Sequence, residues 1–129
     1  MKILLVDDSK LARMAMAKAL NAIRPGWTRF EAANADEALA QVQSADPDIA
    51  VFDFNMPGLD GVTLATEAAG LRPGMPMAVI SANHQIEVVE RARAVGATFL
   101  SKPITESALR EFLSAAEARL EARSKGAPL

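Results

Sequence analysis

Three apolar runs without polar alternation, Ile3-Leu4-Leu5-Val6, Ile49-Ala50-Val51-Phe52 and Met77-Ala78-Val79-Ile80, constrain what this chain can fold into. A strand with one wet face alternates apolar and polar residues. A run that does not alternate is covered on both faces, as strands are at the centre of a parallel sheet. Strands are predicted from Ile3 to Asp7, Arg29 to Ala32, Ile49 to Asp53, Met77 to Ile80 and Thr98 to Leu100. Helix-like stretches separate them, which is the pattern of a parallel sheet wrapped by helices.

The first helix shows the clearest period: Ala12, Ala15, Met16, Ala19, Leu20 and Ile23 form a stripe expected to pack on the sheet. Asn34 with Glu37 three residues later resembles a capping box, and Asp60 is a candidate N-cap for the third helix. Leu109, Phe112, Leu113, Ala116 and Leu120 share one face of the last helix. Right-handed crossovers put the first and third strands side by side where the winding reverses. Asp7, Asp8 and Asp53 are then expected around one crevice.

Bulk properties narrow the partners. The 129 residues suit one domain, read as residues 1–123 with a flexible tail over 124–129. Fourteen basic against sixteen acidic residues leave a net charge of -2, which offers no electrostatic footprint for direct nucleic-acid or membrane binding. The absence of cysteine excludes disulfides and thiolate metal sites and fits a cytoplasmic setting. The first apolar run is too short for a signal peptide, and nothing approaches the roughly 20 apolar residues of a membrane span.

Collecting carboxylates at one strand edge is costly, because like charges repel unless a cation neutralises them. A divalent metal is implied, and a small hard cation such as Mg2+ suits carboxylate oxygens, a carbonyl and waters. Asp53 is followed by Asn55-Met56-Pro57-Gly58-Leu59-Asp60-Gly61, whose glycines allow close backbone approach. A carboxylate so placed can attack phosphorus. Ser81 and Lys102 each follow a later strand: a hydroxyl to donate to a phosphoryl oxygen and an ammonium to pair with it.

Together, Leu5-Val6-Asp7-Asp8-Ser9, Phe52-Asp53-Phe54-Asn55-Met56-Pro57-Gly58, Ile80-Ser81-Ala82 and Ser101-Lys102-Pro103 resemble the receiver domain of bacterial response regulators, from Met1 to about Arg123. The resemblance implies a flavodoxin-like α/β fold: a doubly wound, five-stranded parallel sheet in the order 2-1-3-4-5 with five helices. It implies Asp53 as phosphoacceptor, with Mg2+ held by Asp7 (directly or through water), Asp8, Asp53 and the Asn55 backbone carbonyl. It further implies Lys102 and Ser81 on the phosphoryl group, a cis bond before Pro103, and a switch made of Ser81 and Phe99. Without a phenol hydroxyl, Phe99 would couple through packing alone. Asn55 and Asn83 sit where receiver side chains tend to govern hydrolysis of the phosphoryl group.

The implied partners are a histidine kinase or histidine phosphotransfer protein and a downstream protein target. With 26 residues after Pro103, only a helix and tail are expected, so output would run through a partner. Leu11 and Met14 fall off the buried stripe and form a candidate surface for the phosphodonor. His84, the single histidine, is assigned no role. A phosphatase with an aspartyl-phosphate intermediate usually places a second acid two residues after its nucleophile, where this chain has Asn55. The chain is read as a phosphoacceptor acting on itself rather than an enzyme with a separate substrate. An unphosphorylated interaction module would tend to lack the acids or the lysine, all of which are present. A flavin-binding relative is disfavoured because Asp7 and Asp8 would repel the flavin phosphate.

Overall fold

Strand and helix alternate throughout: β1 (Lys2–Val6), α1 (Lys10–Ile23), β2 (Thr28–Ala32), α2 (Ala35–Ala45), β3 (Ile49–Asp53), α3 (Gly61–Leu71), β4 (Met77–Ser81), α4 (Ile86–Ala94), β5 (Thr98–Ser101) and α5 (Glu106–Ser124). The computed structural model describes residues 1–82 and 85–124. The strands form one parallel sheet in the order β2-β1-β3-β4-β5, with β1 and β3 adjacent at the reversal. Their register pairs Ile3 with Ile49 and Val6 with Phe52.

The strand period of two divides the core between two sides. Leu4, Val6, Ala50, Phe52 and Val79 pack with Ala38 and Val42 of α2 and with Leu64, Ala65 and Ala68 of α3. Ile3, Leu5, Ile49, Val51 and Ile80 pack instead with Met16 and Leu20 of α1 and with Leu109, Phe112, Leu113 and Ala116 of α5. All five residues of β3 and all five of β4 are buried, which explains their lack of alternation. Each fully buried large apolar side chain contributes about 1.5–3 kcal/mol relative to exposure.

The predicted caps form. Asn34 Oδ1 accepts from the Glu37 N–H at 2.9 Å, and Asp60 Oδ1 accepts from the Thr63 N–H at 2.9 Å. Four details differ from expectation. Asp7 lies just beyond β1: its N–H still donates to Ala32 O at 3.2 Å, but its carboxylate turns to accept from the Ser9 N–H and the pleat ends. Ala15 is exposed, so the stripe of α1 narrows to the fully buried Met16 and Leu20, with Ala19 and Ile23 half-buried against the same core. Strands β2, β4 and β5 each extend one residue further, to Thr28, Ser81 and Ser101. Ser124, read as the start of the tail, is the last residue of α5, and its Oγ donates to Glu121 O at 3.0 Å. The rest of that tail lies outside the described residues.

Candidate functional site

Sheet hydrogen bonding continues past the strand ends and brings the chemistry-bearing residues to one edge. The Phe54 N–H donates to Ile80 O at 2.8 Å, and the Lys102 N–H donates to Ser81 O at 3.0 Å. Asp53, Ser81 and Lys102 thus occupy neighbouring strand ends, with Asp7 and Asp8 following β1 on the other side of β3. Ser9 caps α1, its Oγ accepting from the Ala12 N–H at 3.2 Å, which turns the chain at the acid pair. Behind Asp53, a Cβ on Gly61 would overlap the Asp53 carbonyl oxygen. Only glycine permits the start of α3 to lie this close to the end of β3. Gly58, at φ 85°, adopts the left-handed backbone its loop requires.

Asp7, Asp8 and Asp53 each place a carboxylate oxygen within 4.8 Å of the others. Asp7 and Asp53 are buried, at 0% and 2% exposure, whereas Asp8 faces solvent. Lys102 Nζ stands between the buried pair, 3.1 Å from Asp7 Oδ2 and 3.0 Å from Asp53 Oδ1. The peptide bond before Pro103 is cis.

Burial pushes the Asp53 carboxyl above its ordinary value, and the negative charge of Asp7 adds to the rise; Lys102 and the Asn55 backbone N–H offset part of it. For Lys102, burial alone would lower the pKa. Its bonds to Asp53 and Asp7 outweigh burial and raise it. The ammonium therefore stays charged while bridging the two acids.

The donor set fits a small divalent cation. Three carboxylates converge from two strand ends, and among the described residues the one cation paired with the two buried carboxylates is Lys102. One ammonium against three acids leaves negative charge at the strand edge, which is costly unless a further cation neutralises it. Hard oxygen donors of this kind suit Mg2+.

Ser81 is fully buried at the end of β4. Phe99 is half-buried against the core side that contains Val79 and Ala92. Hollows of about 330 and 420 Å³ flank it, towards α5 and α4 respectively. Asn55 is exposed in the loop after β3. Asn83 and His84 lie outside the described residues. Leu11 and Met14 are 78% and 55% exposed on α1. An apolar hollow of about 370 Å³ on the same helix is lined by Ala15, Met16, Ile80, Pro103 and Ile104, with Lys102 at its edge.

Two arginines at the site escape sequence reasoning. Arg13 Nη1 donates to the Asp7 carbonyl at 2.7 Å while its Nε pairs with Glu31 at 3.1 Å, which fixes the peptide between the two acids. Arg91 Nη2 donates to Asp60 Oδ2 at 3.0 Å, and its Cζ lies 5.7 Å from the Phe54 ring centroid. The Arg13–Glu31 and Arg91–Asp60 pairings have no local sequence signal, because they join residues 18 and 31 apart on different elements. For Arg13, the only hint is an arginine one turn after the Ser9 cap.

The family model for the response regulator receiver domain matches residues 3–114. The chain belongs to the response regulator receiver family. The general role of such receivers is to accept a phosphoryl group in two-component signalling. Among curated relatives, the chain is 37% identical over 105 residues to protein-glutamate methylesterase/protein-glutamine glutaminase 3 of Rhodospirillum rubrum, covering 79% of this receiver and 28% of that protein. It is 27% identical over 111 residues to sporulation initiation phosphotransferase F of Bacillus subtilis, covering 85% and 88%. The receiver thus spans under a third of the first relative and nearly all of the second. Among solved structures, chemotaxis protein CheY4 of Vibrio cholerae superposes with a TM-score of 0.80 at 30% identity, covering 89% of this receiver and 97% of that chain. No helix of the described residues is long and apolar enough to cross a membrane.

Proposed function

We propose that this receiver accepts a phosphoryl group on Asp53 from a histidine kinase or histidine phosphotransfer protein and signals through protein–protein contact. The observation that carries this reading is the state of Asp53: a buried carboxylate at a strand end, paired with the Lys102 ammonium at 3.0 Å and within reach of two further acids. A carboxylate kept only for structure gains nothing from two further acids beside it, because like charges repel.

Asp7, Asp8, Asp53 and the Asn55 backbone carbonyl are assigned to Mg2+, which when bound supplies the positive charge that lets clustered acids and phosphoryl oxygens share the crevice. In the transfer, an Asp53 carboxylate oxygen forms a bond to phosphorus as the phosphorus–nitrogen bond of the donor phosphohistidine breaks. The imidazole keeps the electron pair and takes a proton from solvent. Lys102 turns from the carboxylates to the equatorial phosphoryl oxygens, and the Ser81 hydroxyl donates to one of them. Phe99, with space on two sides, repacks as Ser81 moves. In the later hydrolytic step, water attacks phosphorus, the bond to Asp53 breaks, and inorganic phosphate leaves.

The chain acts on its own aspartate rather than turning over a separate substrate, and a cytoplasmic setting follows from the kinase it would meet. Leu11 and Met14, exposed on the helix that also lines the apolar hollow reaching Lys102, supply the donor's docking surface. Nucleic acid and membrane are not assigned as direct partners. Intact-mass measurement after incubation with acetyl phosphate and Mg2+ tests the central step. A single phosphate-sized increment that is absent from Asp53→Asn supports the assignment, and an increment that survives the substitution overturns it.

A further inference from the structure

The helix α4 is held on the fold by a thin apolar contact, since Val88 and Ala92 are its only buried residues among nine. Arg91, between them, reaches further. Its guanidinium lies over Phe54, with Cζ 5.7 Å from the ring centroid, and donates to Asp60 Oδ2 at 3.0 Å. Phe54 directly follows Asp53, and its carbonyl accepts from the Gly61 N–H at 3.0 Å. Asp60 caps α3. A single α4 side chain therefore grips both ends of the loop that leaves Asp53. A planar guanidinium can stack and form an ion pair at once, which an ammonium cannot do equally well.

We propose that Arg91 is a positioning residue that latches α4 to the Asp53 loop, and that modification of Asp53 reaches α4 through this latch. The coupling rests on the reading of Asp53 as phosphoacceptor. A phosphoryl group adds negative charge and bulk one residue from Phe54, at the start of the loop whose two ends Arg91 holds. The two states then differ in an identifiable contact, as a population shift requires. On the same helix, Val89 and Arg93 line the hollow beside Phe99, so movement of α4 alters a surface that a partner can read.

Amide hydrogen exchange on the full chain, before and after treatment with acetyl phosphate and Mg2+, provides the test. In that treatment the phosphoryl group passes to Asp53 and acetate leaves. Arg91→Ala is expected to speed exchange over 86–94 by about tenfold before any modification, with β3 amides unchanged, and Arg91→Lys to restore part of the protection. Modification is expected to change α4 exchange about threefold or more in the unsubstituted chain and to leave it nearly unchanged in Arg91→Ala, although both take up phosphate to a similar extent by mass. Unaltered α4 protection in Arg91→Ala, or an undiminished response to modification, overturns the latch. Should Arg91→Ala loosen the whole sheet, Asp60→Asn decides: it keeps the cap and removes the ion pair, and unaltered α4 protection there likewise overturns the proposal. Absence of any mass increment in the unsubstituted chain defeats the phosphoacceptor reading and the coupling with it, while the unmodified comparison still decides whether Arg91 holds α4.

Discussion

Lys102 Nζ stands 3.0 Å from Asp53 Oδ1 and 3.1 Å from Asp7 Oδ2, so one ammonium serves both buried acids. The ammonium acts here as a point charge shared between two carboxylates. An ammonium held in this way can follow the charge when it moves from carboxylate to phosphoryl oxygens, because a lysine on a flexible stem carries no fixed donor geometry.

Replacing Lys102 with Met should therefore have two separable effects. Without Mg2+, it leaves the two buried acids uncompensated and should lower stability by about 1–3 kcal/mol in urea denaturation, less than for a fully buried pair, because Lys102 is 30% exposed. With Mg2+, folding should largely recover while labelling by acetyl phosphate slows by about tenfold or more. Unchanged labelling would remove Lys102 from the transfer step.

The acid cluster predicts that Mg2+ stabilises the fold. The free energy of unfolding should rise by about 1.4 kcal/mol for each tenfold increase in Mg2+ beyond its dissociation constant. Asp8→Ala, a change at a solvent-facing carboxylate, should erase that response while costing little in Mg2+-free buffer. Thermal melts of both proteins across a Mg2+ series check this.

Asp60 predicts a pH dependence. Burial alone would raise its carboxyl, but the Thr63 N–H and Arg91 outweigh burial and hold it below its ordinary 3.8. A depressed folded value means the stabilisation is complete above 3.8 and is lost as pH falls through the lower folded value. Asp60→Asn retains a capping oxygen and should flatten this part of the stability profile, whereas Asp60→Ala should also cost about 1 kcal/mol at neutral pH. Denaturation midpoints at about pH 7 and about pH 3 distinguish the three proteins.

Gly61→Ala should destabilise by about 2–3 kcal/mol and impair labelling of Asp53. The added methyl meets the Asp53 carbonyl oxygen, so the end of β3 or the start of α3 must move. Full stability together with full labelling would show that the backbone absorbs the change.

The sheet was legible because β3 and β4 are buried along their whole length, which leaves a continuous apolar run that no other element of similar length produces. The acids and the lysine stood out because each interrupts or follows such a run. Side-chain partners across crossovers were not legible. Arg91 meets Asp60 at a separation of 31 residues, a contact set by how α3 and α4 pack rather than by any local pattern. The exposure of Ala15 was hidden for a related reason: helical spacing shows which residues share a face but not how wide a face the neighbouring elements cover. Asp7 has the sequence signature of a strand end, because a backbone bond to Ala32 and a side-chain turn to Ser9 differ only in three dimensions.

The slight burial of α4 has a consequence for divergence within the fold. Gln85, Ile86, Glu87, Glu90, Arg93 and Ala94 all face solvent, so substitutions there disturb little of the interior. This helix is a place where new recognition specificities can accumulate at low cost to folding, while the central strands and their acids stay as they are.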